Sequence, residues 1–578
     1  MMDKNKEFIE TSNFLRPQRR RAPASIWKWV GAASLLISIP FLNTKLSFRP
    51  SCSHNGDHPT RVTYLGEHIT WEQCGDIKGR PVECSSIDVP MDQFNATNSG
   101  NKTFTIPLIR LRGHNATQNL LLNPGGPGGS GIEFLYRRGE LLQSIVGEGF
   151  HLLSFDPRGV NSSTPQATCY PNGETRRERS SVRDTRVVED SIEAYAWSHN
   201  FVRACADTMG EHGLYLNTPQ TAADMNSIID ALGQDSMVYW GFSYGTLLGQ
   251  TYATMFPDRS HRVIIDGVAN QFDWYEGQLD VESFENTEDV WEGFVDECIK
   301  AGEDCPLSSL ATSKGALKGK LSSLSKRLTD SPISIYVNNS IYGVLTYETI
   351  WYEAIFPALY KPANWYLLAG RLAKLLEGNA TEALLAYGLD GPWGLEGDSN
   401  TFITYNDGSS GAAYFAQDRQ SLLDMLIPYM NASIFAPTEN GGYYIKQQWQ
   451  IPRTHNYVPR KGVETAHPLL ILSTSYDPIC PLVSARSANA AFEGSKIIEV
   501  LGYGHCSVAI PSTCLAKHVR EFLYNGTLPD DYTRCEVDEP YFIKPEEDSK
   551  VKAQKHFDDP TEQKIHLAQL ELARDWQW

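Results

Sequence analysis

Six short apolar runs, each closing on a turn residue, limit what this 578-residue chain can fold into. They are "NLLLN" (Asn119–Asn123), "FHLLSFD" (Phe150–Asp156), "SMVYWG" (Ser236–Gly241), "HRVIIDG" (His261–Gly267), "PLLILSTSYD" (Pro468–Asp477) and "SKIIEVLG" (Ser495–Gly502). Strands that are apolar throughout must be covered on both faces, and helical stretches such as "TAADMNSIIDAL" fall between several of them. The alternation predicts an α/β fold, a mostly parallel sheet between layers of helices. In such sheets the chemistry sits in loops beyond the strands' carboxyl ends.

Three of those loops carry reactive side chains. "GFSYG" follows one run and has the spacing G-x-S-x-G, in which a sharp strand-to-helix turn lifts the Ser243 oxygen clear of the backbone. The bare pattern arises by chance in roughly one chain of this size in four, so its surroundings must decide. Asp477 closes another run, and His505 in "GYGHCS" follows the last. Serine, then acid, then base is the chain order that alpha/beta-hydrolases use. Asp266 is the reserve acid, and His261, His467 and His518 are the reserve bases, none of them in a glycine-flanked loop after a strand.

Upstream, "NPGGPGGSG" leaves the first run directly. Gly126, Gly128 and Gly131 form a G-x-G-x-x-G, with Asp156 as the acid a dinucleotide site requires. Pro124 and Pro127 remove amide donors from the turn, which favours an oxyanion loop over a cofactor turn.

The 51 Lys and Arg against 69 Asp and Glu give a net charge of −18, which argues against nucleic acid as a partner. Near the N-terminus four arginines precede an apolar segment from Ile26 to Leu42, broken only by Lys28. It reads as an uncleaved signal anchor with a cytoplasmic N-terminus, or as a cleaved signal peptide lacking an A-x-A-like site. Eight N-x-[ST] sequons downstream, at Asn95, Asn101, Asn115, Asn161, Asn338, Asn379, Asn431 and Asn525, are acceptors for glycosylation in the secretory pathway. Eleven cysteines suit disulfides in an oxidising compartment, with Cys74/Cys84 and Cys298/Cys305 as close pairs and Cys52 as the odd thiol. No Cys/His cluster has zinc-ligand spacing, so no metal is expected.

"NPGGPGGSG", "FDPRGVNSS", "GFSYGTLLGQTYATMFP", "SYDPICPL" and "GYGHCS" together resemble the alpha/beta-hydrolase serine peptidases related to prolyl aminopeptidase and tripeptidyl aminopeptidase. The tail "PSTCLAKHVREFLYNGTLPDDYTRCE" is similar to the C-terminal module of the tripeptidyl-aminopeptidase-like members. The resemblance, from about Trp71 to Cys535, implies Ser243, Asp477 and His505 as a triad and the amides of Gly126 and Tyr244 as oxyanion donors. Gly125 is an equally permissive neighbour of Gly126. Members of the family often carry two lid cysteines where this chain has Tyr405 and Lys446, which implies the loss of one lid disulfide. Cys480 and Cys506, close to the acid and base, are a candidate bridge beside the site, and Cys506 is the alternative reactive thiol.

The expected organisation is a basic tail (1–25), the anchor or signal (26–42), a stalk (43–65), the hydrolase core in two parts (66–267 and 466–535), a large mainly helical cap (268–465) and a charged tail (536–578). The expected activity is a serine hydrolase without metal or organic cofactor, an aminopeptidase releasing one to three residues from peptides with a free amino terminus. An acidic group in the cap, or Glu133, would receive that terminus. An esterase acting on a small metabolite is the alternative, and a non-catalytic binding protein on the same fold ranks last. No feature of the sequence specifies an oligomer.

Overall fold

All six runs become strands of one eleven-stranded sheet in the computed structural model, which describes residues 61–389, 397–545 and 553–575. In chain order the strands are β1 (Arg61–Val62), β2 (Trp71–Ile77), β3 (Arg80–Pro90), β4 (Thr103–Leu111), β5 (Gln118–Asn123), β6 (Phe150–Phe155), β7 (Met237–Phe242) and β8 (Ser260–Asp266). The two-stranded hairpin β9 (Ile333–Asn338) and β10 (Ile341–Leu345) is separate, and β11 (Leu470–Tyr476), β12 (Lys496–Tyr503) and β13 (Thr533–Cys535) complete the main sheet. Its order is β1-β2-β3-β4-β6-β5-β7-β8-β11-β12-β13. Pairing is antiparallel from β1 to β6 and parallel from β6 to β13.

Continuous apolar composition has the consequence expected of it. Every residue of β6 and β7 is buried, because helices cover both faces. One face packs Phe134, Leu135, Trp240, Leu472 and Phe522 together, and the other packs Tyr239, Leu247, Ile265 and Ala485. A third apolar cluster, with Phe294, Trp365, Leu372 and Phe435, lies mainly within the segment between β8 and β11, joined by Ala194 and Phe542 from outside it. That segment is mainly helical, as the sequence suggests, but also carries the β9–β10 hairpin.

Four disulfides join Cys74 to Cys84, Cys169 to Cys205, Cys298 to Cys305 and Cys514 to Cys535. The expected bridge between Cys480 and Cys506 is not formed. Both thiols are free and buried. Cys480 lies against the Ser243 side chain, and Cys506 donates to the Asp266 carbonyl at 3.2 Å.

No helix among the described residues is long and apolar enough to cross a membrane. The Ile26–Leu42 segment and Cys52 lie outside those residues. At the other end, the charged tail carries a docked helix, Pro560–Asp575. Buried His566 pairs with Glu539 at 2.8 Å, Gln569 donates to the Ser512 carbonyl at 3.0 Å, and Arg138 donates to the Asp575 carbonyl at 2.6 Å.

Tyr405 and Lys446, the two positions at which the resemblance implied a lost lid disulfide, make polar links instead. The Tyr405 hydroxyl donates to the Gly442 carbonyl at 2.9 Å, joining the helix Ser399–Asp407 to the helix Asn440–Gln448. The Lys446 ammonium donates to the Gly277 carbonyl at 3.1 Å.

Candidate active site

β7 ends at Phe242 and the helix Tyr244–Met255 begins two residues later, so Ser243 alone makes the turn. Its backbone sits at φ 55° and ψ −124°, a strained conformation for a residue with a Cβ, of the kind that persists where surrounding structure enforces it. The enforcement is visible. The Ser243 amide donates to the Asp266 carbonyl at 3.0 Å, and its carbonyl accepts from the Thr246 amide at 2.7 Å. The flanking glycines are there for space: a Cβ on Gly241 would lie 2.3 Å from the Gly245 carbonyl oxygen, and one on Gly245 would lie 2.8 Å from that of Asn123.

His505 and Asp477 meet at the ends of neighbouring strands, β12 and β11. The His505 Nδ1 lies 2.9 Å from both carboxylate oxygens of Asp477, and both side chains are buried. Asp477 also accepts the amides of Ile479 at 3.0 Å, Cys480 at 2.8 Å and Cys506 at 2.9 Å. A carboxylate so placed fixes the proton on Nδ1 and leaves Nε2 as the basic nitrogen. The cap reaches His505 directly: the Tyr360 carbonyl accepts from the His505 amide at 2.9 Å, and the Tyr360 ring meets the imidazole edge-on at 5.1 Å between centroids.

The glycine loop lies against the elbow. A Cβ on Gly125 would come within 2.4 Å of the Phe242 carbonyl oxygen and 2.9 Å of the Ser243 Cβ. Gly125 and Gly126 are nevertheless not equivalent. The Gly125 amide already donates to Asn123 Oδ1 at 3.0 Å, whereas no protein acceptor among the described residues takes the Gly126 amide. Asp156, the acid a dinucleotide site would use, is wholly buried and accepts from Ser130 Oγ, the Ile132 and Ser162 amides and Asn161 Nδ2 at 2.6 to 3.1 Å. It anchors the end of the glycine loop and has no oxygen left for a ribose.

Gly126, Ser243, Tyr244 and His505 share the wall of a cavity of about 780 Å³ with residues of the cap. Asp273, Asp280, Glu282 and Glu439 line the same space. The Glu439 side chain is exposed to the cavity, yet protein surrounds it closely enough that desolvation, with Asp280 and Asp184 nearby, pushes its carboxyl up to about 7. Burial, with Glu282 and Asp280, pushes Asp273 up to about 6. Asp280 and Asp273 pull on the Lys446 ammonium, and burial nonetheless holds it below the usual range.

The remaining candidates lie elsewhere or are otherwise engaged. Asp266 is buried, with its carboxylate held by the Ser507 amide and hydroxyl at 2.7 and 2.6 Å and by Trp240 Nε1 at 3.3 Å; burial pushes it up to about 6. His261 and His467 pair with each other at 6.2 Å between ring centroids, and His518 lies 3.8 Å from Glu521. Glu133 is a half-exposed first-turn residue 3.9 Å from Arg137 and does not line the cavity, whose carboxylates come mostly from the cap, with Asp184 from the segment before it. Burial raises the Cys506 thiol well above its ordinary value, which keeps it protonated and a poor nucleophile.

A family model described as alpha/beta hydrolase fold matches residues 118–354, and one described as TAP-like protein matches residues 440–535. The serine protease Hip1 of Mycobacterium tuberculosis is 28% identical over 509 residues, covering 82% of this chain and 91% of its own. Tripeptidyl aminopeptidase of Streptomyces lividans is 26% identical over 487 residues, covering 79% and 84%. Carboxylesterase B of Mycobacterium tuberculosis is 25% identical over 492 residues, covering 81% and 89%.

Proposed function

We infer that this chain, an alpha/beta hydrolase with a TAP-like C-terminal module, is a serine aminopeptidase that releases one to three residues from peptides with a free amino terminus. Ser243 attacks the scissile carbonyl while His505 Nε2 takes its proton, and Asp477 stabilises the imidazolium that forms. The Gly126 and Tyr244 amides hold the tetrahedral oxyanion. His505 returns the proton to the leaving amine, and water then releases the acyl group by the same steps. The observation that carries the exopeptidase reading is the set of cap carboxylates, Asp273, Asp280 and Glu439, facing the cavity that Ser243 also lines. A protonated amino terminus neutralises charge that this site otherwise carries at a cost.

Acetylating the amino terminus of a good substrate is expected to lower kcat/KM by at least about 100-fold, because the cavity acids lose the ammonium they would bind. Equal cleavage of blocked and unblocked peptides would rule the aminopeptidase out. Turnover of esters alone would favour the second reading, an acyl hydrolase, which the likeness to a carboxylesterase also supports.

Glu439→Gln provides a finer test. It should lower kcat/KM for unblocked peptides by about 10- to 100-fold, the loss of one charge-assisted hydrogen bond, and barely affect blocked ones. The pH dependence has a definite sign. Glu439 is raised to about 7, so binding of the ammonium weakens as pH falls through that value. A raised carboxyl also favours the folded state in acid, and that contribution is lost as pH rises from the ordinary carboxyl range through about 7. The glutamine variant should therefore be the more stable protein at pH 8 and the poorer enzyme; a variant less stable than wild type at pH 8 contradicts this.

For the cellular setting, the four disulfides fit an oxidising compartment. We propose a glycoprotein anchored by the Ile26–Leu42 segment. All eight sequon asparagines are exposed, but Asn161 Nδ2 donates to Asp156 at 3.0 Å and to Ser130 Oγ at 3.0 Å, and a glycan on that nitrogen breaks the glycine loop's anchor. Peptide mapping of protein from a secretory host should find Asn161 unmodified, and Asn161→Gln should lower Tm whether or not glycans are present. Full glycan occupancy at Asn161 would contradict this reading.

A further inference from the structure

Tyr244, whose amide follows the nucleophile, also has a buried side chain with an unusual attachment. Its phenol hydrogen-bonds with Thr218 Oγ1, and Thr218 donates both its hydroxyl and, at 2.7 Å, its amide to the carboxylate of Asp407. Trp274 Nε1 donates to the same carboxylate at 2.8 Å. When Asp407 is ionised its carboxylate only accepts, so the Thr218 hydroxyl proton then points at Asp407 and its lone pair takes the Tyr244 hydroxyl. The chain of hydrogen bonds is thereby polarised from Tyr244 to Asp407.

Asp407 is the last residue of the cap helix Ser399–Asp407, and its neighbour fastens that end to the core. Asn406 Nδ2 donates to the carbonyls of Gly213 and Leu216 at 2.9 and 3.0 Å, and its Oδ1 accepts from Trp449 Nε1 at 2.9 Å. Asp407 itself is wholly buried, and burial pushes its carboxyl up to about 7 against three donors and the pull of Arg453. A buried acid is a poor device for stability, since a well-packed apolar group in its place is often as good or better. Each partner of this one is instead a neighbour of the chemistry. Thr218 leads to the elbow, and Trp274 packs 5.8 Å from the Tyr244 ring and lines the cavity beside Ser243.

We propose that Asp407 is a positioning residue for the oxyanion hole: by way of Thr218 it holds Tyr244, and so the amide that follows the nucleophile, in register with the cap. The proposal rests on the reading of the Tyr244 amide as an oxyanion donor. It makes the hole an assembly of core and cap, in which a cap helix end is fastened to the residue whose amide must meet the developing charge. A displacement of about 1 Å in such a donor is enough to cost up to 100-fold in rate.

The test uses the full-length protein with Tyr244→Phe, Asp407→Asn and the double variant, assayed on one unblocked peptide and one simple ester. Tyr244→Phe deletes only the hydroxyl and leaves the amide in place. Each single variant should lower kcat about tenfold with KM within about twofold, on both substrates, because the hole serves any acyl group. The double variant should be no worse than the worse single one, since the residues act in one chain. Thr218→Ser keeps the relay hydroxyl and should retain wild-type kcat, whereas Thr218→Val should match Tyr244→Phe. If Asp407→Asn does not fold, the Tyr244 and Thr218 variants decide alone. Wild-type kcat in Tyr244→Phe with only a lower Tm, or additive losses in the double variant, would overturn the proposal while Ser243→Ala remains inactive. Full activity in Ser243→Ala would overturn it together with the site on which it rests.

Discussion

Ser243→Ala is expected to cut turnover about 10⁶-fold, as loss of the nucleophile does in other serine hydrolases, to abolish labelling by a fluorophosphonate and to leave Tm nearly unchanged. The stability half of that expectation comes from the elbow. The strain at φ 55° is held by the Asp266 carbonyl, the Thr246 amide and the close contacts of Gly241 and Gly245, all backbone features that an alanine keeps. The side-chain oxygen lies against the Cys480 thiol, a weak partner, so little is lost when it goes. A serine placed for packing or capping would behave in the opposite way, with turnover kept and stability lowered. Labelling of the variant equal to that of wild type would remove Ser243 from the mechanism.

What could be read from the sequence was what is local. Ser243, Asp477 and His505 each stand at a strand end marked by its own apolar run and turn residues, so their arrival in neighbouring loops follows from the sheet. Strands β1 to β4 carry no such mark. β2 is "WEQCGDI" and β3 is "RPVECSSIDVP", with much of each strand open to solvent, so neither has the apolar run that identifies β6 or β7. The two loop glycines were indistinguishable until the amide of Gly125 was seen to be taken by Asn123. Cys480 and Cys506 looked like a bridge because each follows a triad candidate closely, but the thiol contacts run to Ser243 and Asp266, which chain proximity does not reveal. The cavity acids come from segments as far apart as Asp273 and Glu439, and no spacing rule connects them. Asp407 was hidden for a similar reason: its importance lies in what Thr218 and Trp274 offer it across the fold.

Asp477→Asn is expected to lower kcat about 10⁴-fold with the fold intact, the effect of the same change in other triads. The geometry here gives the cause. Oδ1 of Asp477 accepts two amides, from Ile479 and Cys480, and Oδ2 accepts one, from Cys506. The asparagine oxygen therefore favours the Oδ1 position, which turns the NH₂ group toward the Cys506 amide and His505 Nδ1. A donor facing Nδ1 forces the imidazole proton onto Nε2, and the nitrogen that should receive the serine proton is then occupied. Asp266→Asn is the control, because Asp266 also ends a strand and is buried close to the base. Its carboxylate is held by the Ser507 amide and hydroxyl, and that hydroxyl rotates to donate or accept, so the asparagine keeps most of the contacts and kcat should fall by less than about tenfold. If the 10⁴-fold loss fell on Asp266→Asn and Asp477→Asn were mild, β8 rather than β11 would carry the catalytic acid, and the pairing of His505 with Asp477 would be structural.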